Sequence, residues 1–513
     1  MSASPAPAVQ ARLRFRAGPA RLLRSRPFQA AVLCLAVFGM SAAVAWGVFE
    51  AMPHLEDEQA NYFQARVFAG GEIAAPAPPS KDAFFIPFTI VRNGIWFGKY
   101  TPGYPLVLAL GVLLGAPWVV GALASALALA GVFLLGRDLF GADAGLLAAA
   151  LGAVSPAFVI LSGSLLPHPV TMAALVFFAW AFLRARRPGE ARAAGFSLLA
   201  GLALGLAVLA RPWTAFGIAL PFIGIALFDL VRGFRRALRA YLLLGAACAA
   251  LCALLPLFNY AVTGSPFTNT YTLWWPYDTI GFGPGVGRLE GGHTLGLALL
   301  NARLDLAAFQ TALTGWPSPL GFPLVILPLI FGLLLAPRSR SDLLLLLPPV
   351  LLIAVHLAYW ARAGEFYGGR YYSEGMPFLW LLAARGLLKF SSGKWRLRLV
   401  RAALPLFLVW SILFQIEPRL LQGRGLYAIT RENPAEIAAE DLHNALVFVH
   451  IRYWTDYAAF SWLNDPDLNG DVIFVRDLGA ERNVQMIRAF PGRRVFYFNR
   501  YTNGDRLIPY EIP

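Results

Sequence analysis

The sequence predicts a mainly α, polytopic α-helical membrane protein with about 11 transmembrane helices, closed by a small C-terminal α/β domain. Three observations carry this. The 513 residues are 58% hydrophobic and only 14% charged, with a mean hydropathy of +0.59, more apolar than a soluble core of that length requires. Apolar runs near the length of about 20 residues that spans a bilayer recur along the chain. After residue 416 these runs stop and mixed polar sequence begins.

In order, the runs cover residues 28–49, 117–136, 143–162, 169–184, 194–210, 212–229, 240–258, 320–336, 342–360, 375–390 and 400–415. Residues 1–27 form a basic cytoplasmic tail with Arg12, Arg14, Arg16, Arg21, Arg24 and Arg26 and no acid. No clear small-residue cleavage site follows, so the first run reads as a retained span. Positive connections stay on the cytoplasmic side. Every second connection should then be basic, and it is: Arg184, Arg186, Arg187 and Arg192; Arg232, Arg235, Arg236 and Arg239; Arg338 and Arg340; and Arg385 through Arg401. The formal charge of +14 is therefore mostly topology and lipid attraction, and calls for no nucleic-acid partner. Cys34, Cys248 and Cys252 all fall inside predicted spans, which implies neither a disulfide framework nor a metal-thiolate site.

The same alternation places residues 50–116, 163–168, Arg211, 259–319, 361–374 and everything after 416 outside, where the unusual polar residues gather. "MPHLEDEQANYFQA" (52–65) sets Glu56, Asp57 and Glu58 just past the first span. A helix over 57–69 would put Asp57, Asn61 and Gln64 on one face and Ala60, Phe63 and Val67 on another, as in a helix lying flat on the bilayer. Acids in a first turn favour the helix dipole, but three exceed what one cap needs. "GKYTPGYP" (98–105) joins Lys99 and Tyr100 to rigid Pro-Gly geometry, and a bland turn needs no lysine. His168 sits at the mouth of a span in "LSGSLLPHP"; a lone histidine is more often a hydrogen-bonded structural residue than a ligand. Arg211, in "LARPWTA", lies between two spans at a depth where a cation calls for an anionic partner. "YGGRYYSE" (367–374) supplies Arg370, Tyr371, Tyr372 and Glu374; an aromatic interface belt explains the tyrosines but not Arg370. In the loop 259–319, "YDTIGFGPGVG" and "GGHTLG" read as flexible covers rather than phosphate loops, with His293 a weak candidate.

Together, the acidic pair past the first span, the helix after it, "KYTPGYP" running into the next apolar segment and the late "GRYY" resemble the GT-C superfamily of membrane glycosyltransferases. The nearest branch is the bacterial one related to protein O-mannosyltransferases and lipid A aminoarabinose transferases. The similarity covers most of residues 28–390 in order. It implies that Asp57 matches the acid proposed as catalytic base and Glu58 the second acid of that motif. It also implies that Lys99 and Tyr100 lie near the donor phosphate. His168 stands where relatives often carry a polar or acidic residue, which weakens a two-carboxylate metal site; Asn61 stands where many have tyrosine. The implied catalytic residues are Asp57 and Glu58. The implied donor-binding set is Lys99, Tyr100, His168, Arg211, Arg370, Tyr371 and Tyr372. No cofactor is certain, although Asp57 with Glu58 could hold a divalent ion through oxygen ligands. The implied partners are a polyprenyl-phosphate sugar, an extracytoplasmic acceptor and membrane lipids, in a bacterial inner (plasma) membrane.

In residues 416–513, "ALVFVH" (445–450), "VIFVRDL" (472–478) and "RVFYFN" (494–499) read as short buried strands, and 480–490 as an amphipathic helix. A transporter or lipid-linked sugar flippase is the main alternative, but transporters place charges mid-span and show repeated halves. Here the acids cluster at one face. An envelope scaffold would leave Asp57, Lys99 and Arg370 without a purpose.

Overall fold

The computed structural model describes residues 23–317, 329, 340–364 and 366–511; most of the basic tail, Arg338 and all but Leu329 of the predicted run 320–336 lie outside them. Among the described residues, seven helices are long and apolar enough to cross a membrane: Arg26–Gly47, Trp118–Phe140, His168–Ala185, Ala193–Ala210, Pro212–Gly233, Ala237–Thr263 and Lys394–Ala428. Each falls on a predicted run. The run 143–162 is instead a bent pair, Ala142–Ala153 and Pro156–Gly163, at 67° to one another. The bend follows from Pro156, whose ring disfavours the helical conformation at the residue before it, and Ser155 is extended at ψ 122°. Arg340–His356 and Met376–Phe390 also fall on predicted runs but are shorter, 17 and 15 residues. The last span overruns the expected boundary at 416. A π-helical turn, Ile412–Ile416, leads straight into the helix Glu417–Gly423, whose Pro418 lies in the first turn where a missing N–H is tolerated.

Small residues let these helices touch backbone to backbone, the usual device where lipid removes any hydrophobic drive for association. A Cβ on Gly201 would lie 2.2 Å from the Leu244 carbonyl oxygen, and one on Gly145 would lie 2.4 Å from that of Phe133. Away from the predicted external segments, basic residues meet acids at span ends: Arg26 pairs with Asp143 at 2.5 Å and Arg186 with Asp229 at 2.5 Å, while Asp138 gathers Arg184 and Arg187.

The remaining chain builds a cap. The helix Glu56–Ala69 is followed by three antiparallel strands, β1 (Ala75–Pro76), β2 (Thr89–Arg92) and β3 (Ile95–Gly98), in the order β1-β3-β2. The C-terminal part contributes β4 (Ala445–Val449), β5 (Val472–Arg476), β6 (Arg494–Phe498) and β7 (Leu507–Pro509) in the order β5-β4-β6-β7, with only β7 antiparallel. All five residues of β4 are buried, because a parallel sheet is covered on both faces. Ala445, Val447 and Val449 meet Ile437, Tyr457 and Phe460 on one face. Leu446 and Phe448 meet Phe63, Val67, Phe84 and Trp96 on the other. The helix Glu56–Ala69 therefore does not present its apolar residues to a bilayer as its pattern suggested. Ala60, Phe63 and Val67 are buried within the protein, and the helix supplies part of the second cover of the C-terminal sheet.

Gly145→Leu should lower the stability of the detergent-solubilised protein by about 1–3 kcal/mol, the usual range for overpacking. Gly39→Leu, where nothing lies within 4 Å, should leave it unchanged or higher. Thermal unfolding of the two variants checks this.

Candidate active site

The helix Glu56–Ala69 carries its three acids to three different fates, because successive side chains on a helix point about 100° apart. Glu58 is a cap. Its carboxylate accepts from the His54 N–H at 2.7 Å, the Leu55 N–H at 3.0 Å and the Leu165 N–H at 2.9 Å, and the residue is 1% exposed. Burial pushes its pKa up despite these donors. Glu58 does not reach the cavity, in contrast to the catalytic position expected from the sequence. Asp57 and Glu56 do.

The cavity has a volume of about 1110 Å³ and is walled by residues from the first helix, the strand-end loop after β3, the span mouths at His168 and Arg211, the long loop and the late loop. Asp57 accepts from the Arg370 Nη2 at 2.7 Å on one oxygen and from the Tyr100 hydroxyl on the other. Burial raises the pKa of Asp57, but Arg370, Tyr100 and Lys99 outweigh it and hold the carboxyl below its ordinary value. Glu56 pairs with no other side chain among the described residues, and burial followed by the neighbouring Asp57 pushes its pKa up. Asn61 donates to the Asp57 carbonyl at 2.7 Å and also lines the cavity.

Close backbone approach positions the cations. Gly98 lies against the first helix, where a Cβ would stand 3.2 Å from the Ala60 carbonyl, and its N–H donates to Gln64 at 2.8 Å. Lys99 follows immediately and is aimed at Asp278, 3.2 Å from Nζ. In the late loop, Gly368 and Gly369 have φ of 65° and 67°, which favours glycine, and a Cβ on Gly369 would meet the Asp305 carbonyl at 2.6 Å. That turn starts the short helix Arg370–Gly375. Tyr371 lines the cavity, whereas Tyr372 faces the opposite way into the bundle core against Phe309 and His356. Of the predicted donor-binding residues, Tyr372 is thus the one the structure turns away.

Arg211 and His168 meet around Glu374. The Arg211 guanidinium lies 3.4 Å and the His168 Nδ1 3.1 Å from Oε1 of this fully buried acid. Burial raises the pKa of Glu374, but Arg211 and His168 reverse the effect and hold it low. Arg288 stands 4.7 Å from the Trp275 ring and 5.3 Å from that of Trp360, with no ion pair among the described residues. His293 is instead structural, stacked on Phe282 and bonded to the Leu357 carbonyl at 2.9 Å. Glu56, Asp278, Glu374 and Arg288 were missed as site residues, although the quoted "LEDEQ", "YDTIG" and "GRYYSE" contain the three acids.

The two acids suggested for a divalent ion do not fit one. Glu58 is spent on backbone N–H groups and Asp57 on Arg370 and Tyr100. Among the described residues no group of three or more His, Cys, Asp or Glu is placed to hold a metal.

The C-terminal domain holds the helix that carries Asp57. Gln59 donates to the Ala458 carbonyl at 3.1 Å, and Arg66 reaches the Trp462 carbonyl at 2.7 Å and Asp465 at 2.5 Å. Glu58→Ala should therefore cost about 2 kcal/mol or more by stranding buried N–H groups, while Glu56→Ala should stay within about 0.5 kcal/mol of wild type. Thermal unfolding in detergent separates the two.

Residues 101–260 match the family model described as dolichyl-phosphate-mannose-protein mannosyltransferase. No curated protein matches the sequence. Among solved structures, ArnT from Cupriavidus metallidurans bound to undecaprenyl phosphate is similar, at 14% identity and a TM-score of 0.59 over 92% of each chain. The apo state of that protein is similar at 15% identity and a TM-score of 0.57, over 91% of this chain and 92% of that one. At these identities the likeness is one of fold. The resemblance drawn from the sequence is borne out at the level of the fold: this is a membrane protein with a fold like that of ArnT, and its residues 101–260 match the mannosyltransferase family model.

Proposed function

We propose that this protein transfers a sugar from a polyprenyl-phosphate carrier to an acceptor at the extracytoplasmic face of a bacterial inner membrane. One observation carries the reading: an ionised acid, Asp57, shares a cavity of about 1110 Å³ at the span mouths with Lys99, Arg211, Arg288 and Arg370. A lipid-borne sugar has its chain in the bilayer and its reacting carbon at the surface, so acid and cations are needed together at that boundary. The alternation of basic connections supports the external side. The similarity to a protein captured with undecaprenyl phosphate supports a lipid-phosphate donor.

In this mechanism Asp57 orients the acceptor hydroxyl and takes its proton as the oxygen attacks the anomeric carbon. Tyr100 and Arg370 keep the carboxylate ionised and in place, and one of its oxygens must be released to the acceptor. A single displacement inverts the anomeric centre. As the sugar–phosphate bond breaks, negative charge grows on the departing polyprenyl phosphate. Preorganised cations stabilise it. Arg288 has no ion pair among the described residues and Lys99 keeps two of its three ammonium donors beyond its bond to Asp278, whereas Arg211 is engaged by Glu374 and Arg370 by Asp57. Tyr371 and Tyr100 line the same cavity.

Membranes carrying wild type or Asp57→Asn, supplied with a panel of polyprenyl-phosphate sugars, give the test by mass spectrometry of released polyprenyl phosphate. Release should fall by about 10²-fold or more in the variant, the scale of general-base loss. Equal release at equal protein levels would remove the mechanism and leave transport as the leading reading. Because the surrounding cations hold Asp57 below the ordinary value of about 3.9, release by Glu56→Gln should stay level between pH 7 and 5. A fall centred in that range would mean that Asp57 is not the ionised base.

A further inference from the structure

Lys99 and Asp278 form a deeply buried ion pair, with side-chain exposures of 4% and 1% at 3.2 Å. The ammonium stands 3.8 Å from the Phe88 ring centre, 4.8 Å from Trp275 and 5.3 Å from Tyr271. These rings attract a cation but leave its N–H groups without a carboxylate acceptor. Asp278 supplies that acceptor on one oxygen. Its other oxygen takes the Trp360 Nε1–H at 3.1 Å and the Tyr359 hydroxyl at 3.5 Å. The loop is also tied to the lysine backbone, since the Thr270 hydroxyl donates to the Lys99 carbonyl at 2.6 Å. The carboxylate is therefore locked from both sides, and one of the three ammonium donors is used.

We propose that Asp278 is a positioning residue: it holds Lys99 as a charged ammonium at the cavity wall, so that docking of the long loop is what makes Lys99 able to bind the donor phosphate. The phosphate part rests on the function proposed above. Burial depresses the lysine's affinity for its proton, and Asp278 is the main group restoring it, ahead of Asp57 and Glu56 on the first helix. Tyr100 and Tyr271 border the ammonium as neutral hydroxyl-bearing rings, and Arg288 shares the Trp275 ring from the loop. Loss of the Asp278 charge leaves the two helix acids, both more distant in effect. Lys99 then loses its proton at a lower pH.

Trace labelling of the full-length protein in membranes with acetic anhydride, read by mass spectrometry of the Lys99 peptide across pH, measures this without any sugar transfer. The labelling midpoint in Asp278→Asn should fall by about one pH unit, a tenfold change in proton affinity. Asp278→Glu should stay close to wild type. A wild-type midpoint in Asp278→Asn overturns the proposal; if that variant does not accumulate, Asp278→Ser provides the same comparison. The phosphate part is read separately. Donor KM in Asp278→Asn should rise several-fold more at pH 9 than at pH 6.5, with kcat at pH 6.5 nearly retained. A moved midpoint with an unmoved KM would sink the phosphate role alone. A wild type that releases no polyprenyl phosphate would sink the proposed function and leave the midpoint to decide the rest.

Discussion

A charge withdrawn from water has to be met by its opposite, and this requirement draws distant segments of the chain onto one cavity. Asp57 meets Arg370 across 313 residues, Lys99 meets Asp278 across 179, and Arg211 and His168 meet Glu374. Removing one member of such a pair strands the other, so the pairs specify how the loops dock as well as what the cavity contains. The helical bundle supplies the frame. Close glycine contacts bring the helices together, so that side chains from different spans and loops can converge.

The same logic explains the cap. The helix bearing Asp57 is too polar to be held by lipid and too short of apolar surface to stand alone. It is fastened instead by Glu58 at its start, by Gln59 and Arg66 to the C-terminal domain, and by Phe63 and Val67 in the core behind the parallel sheet. The C-terminal domain is thus part of the device that fixes the acid relative to the cations. Rigid support matters in such a site, since general-base geometry tolerates little displacement.

Much of the site was legible because charged residues next to apolar spans are costly and stand out. Asp57, Lys99, Arg211 and Arg370 were found this way, and the structure brings all four to one cavity. Glu58 and Tyr372 were placed beside them by the resemblance, whose motifs hold neighbouring acids, or neighbouring tyrosines, together along a line. The rotation of about 100° per helical residue separates them. Glu58 rotates onto backbone N–H groups and Tyr372 into the core, while Glu56 and Tyr371 rotate into the cavity. Asp278 and Arg288 lay in a glycine-rich loop that carried no periodicity, so no local pattern pointed to them.

By itself the sequence determined where the spans begin, which connections are basic, and that strands and one amphipathic helix follow the last span. Those properties depend on apolar length, charge and period, which are local. Only the tertiary structure decided that a proline bends one run into two helices at 67°, that the helix Glu56–Ala69 is buried under a sheet, and which acid faces which cation. These depend on contacts between residues hundreds of positions apart. The energy of such contacts is set by distance and burial in three dimensions, which a linear order does not carry.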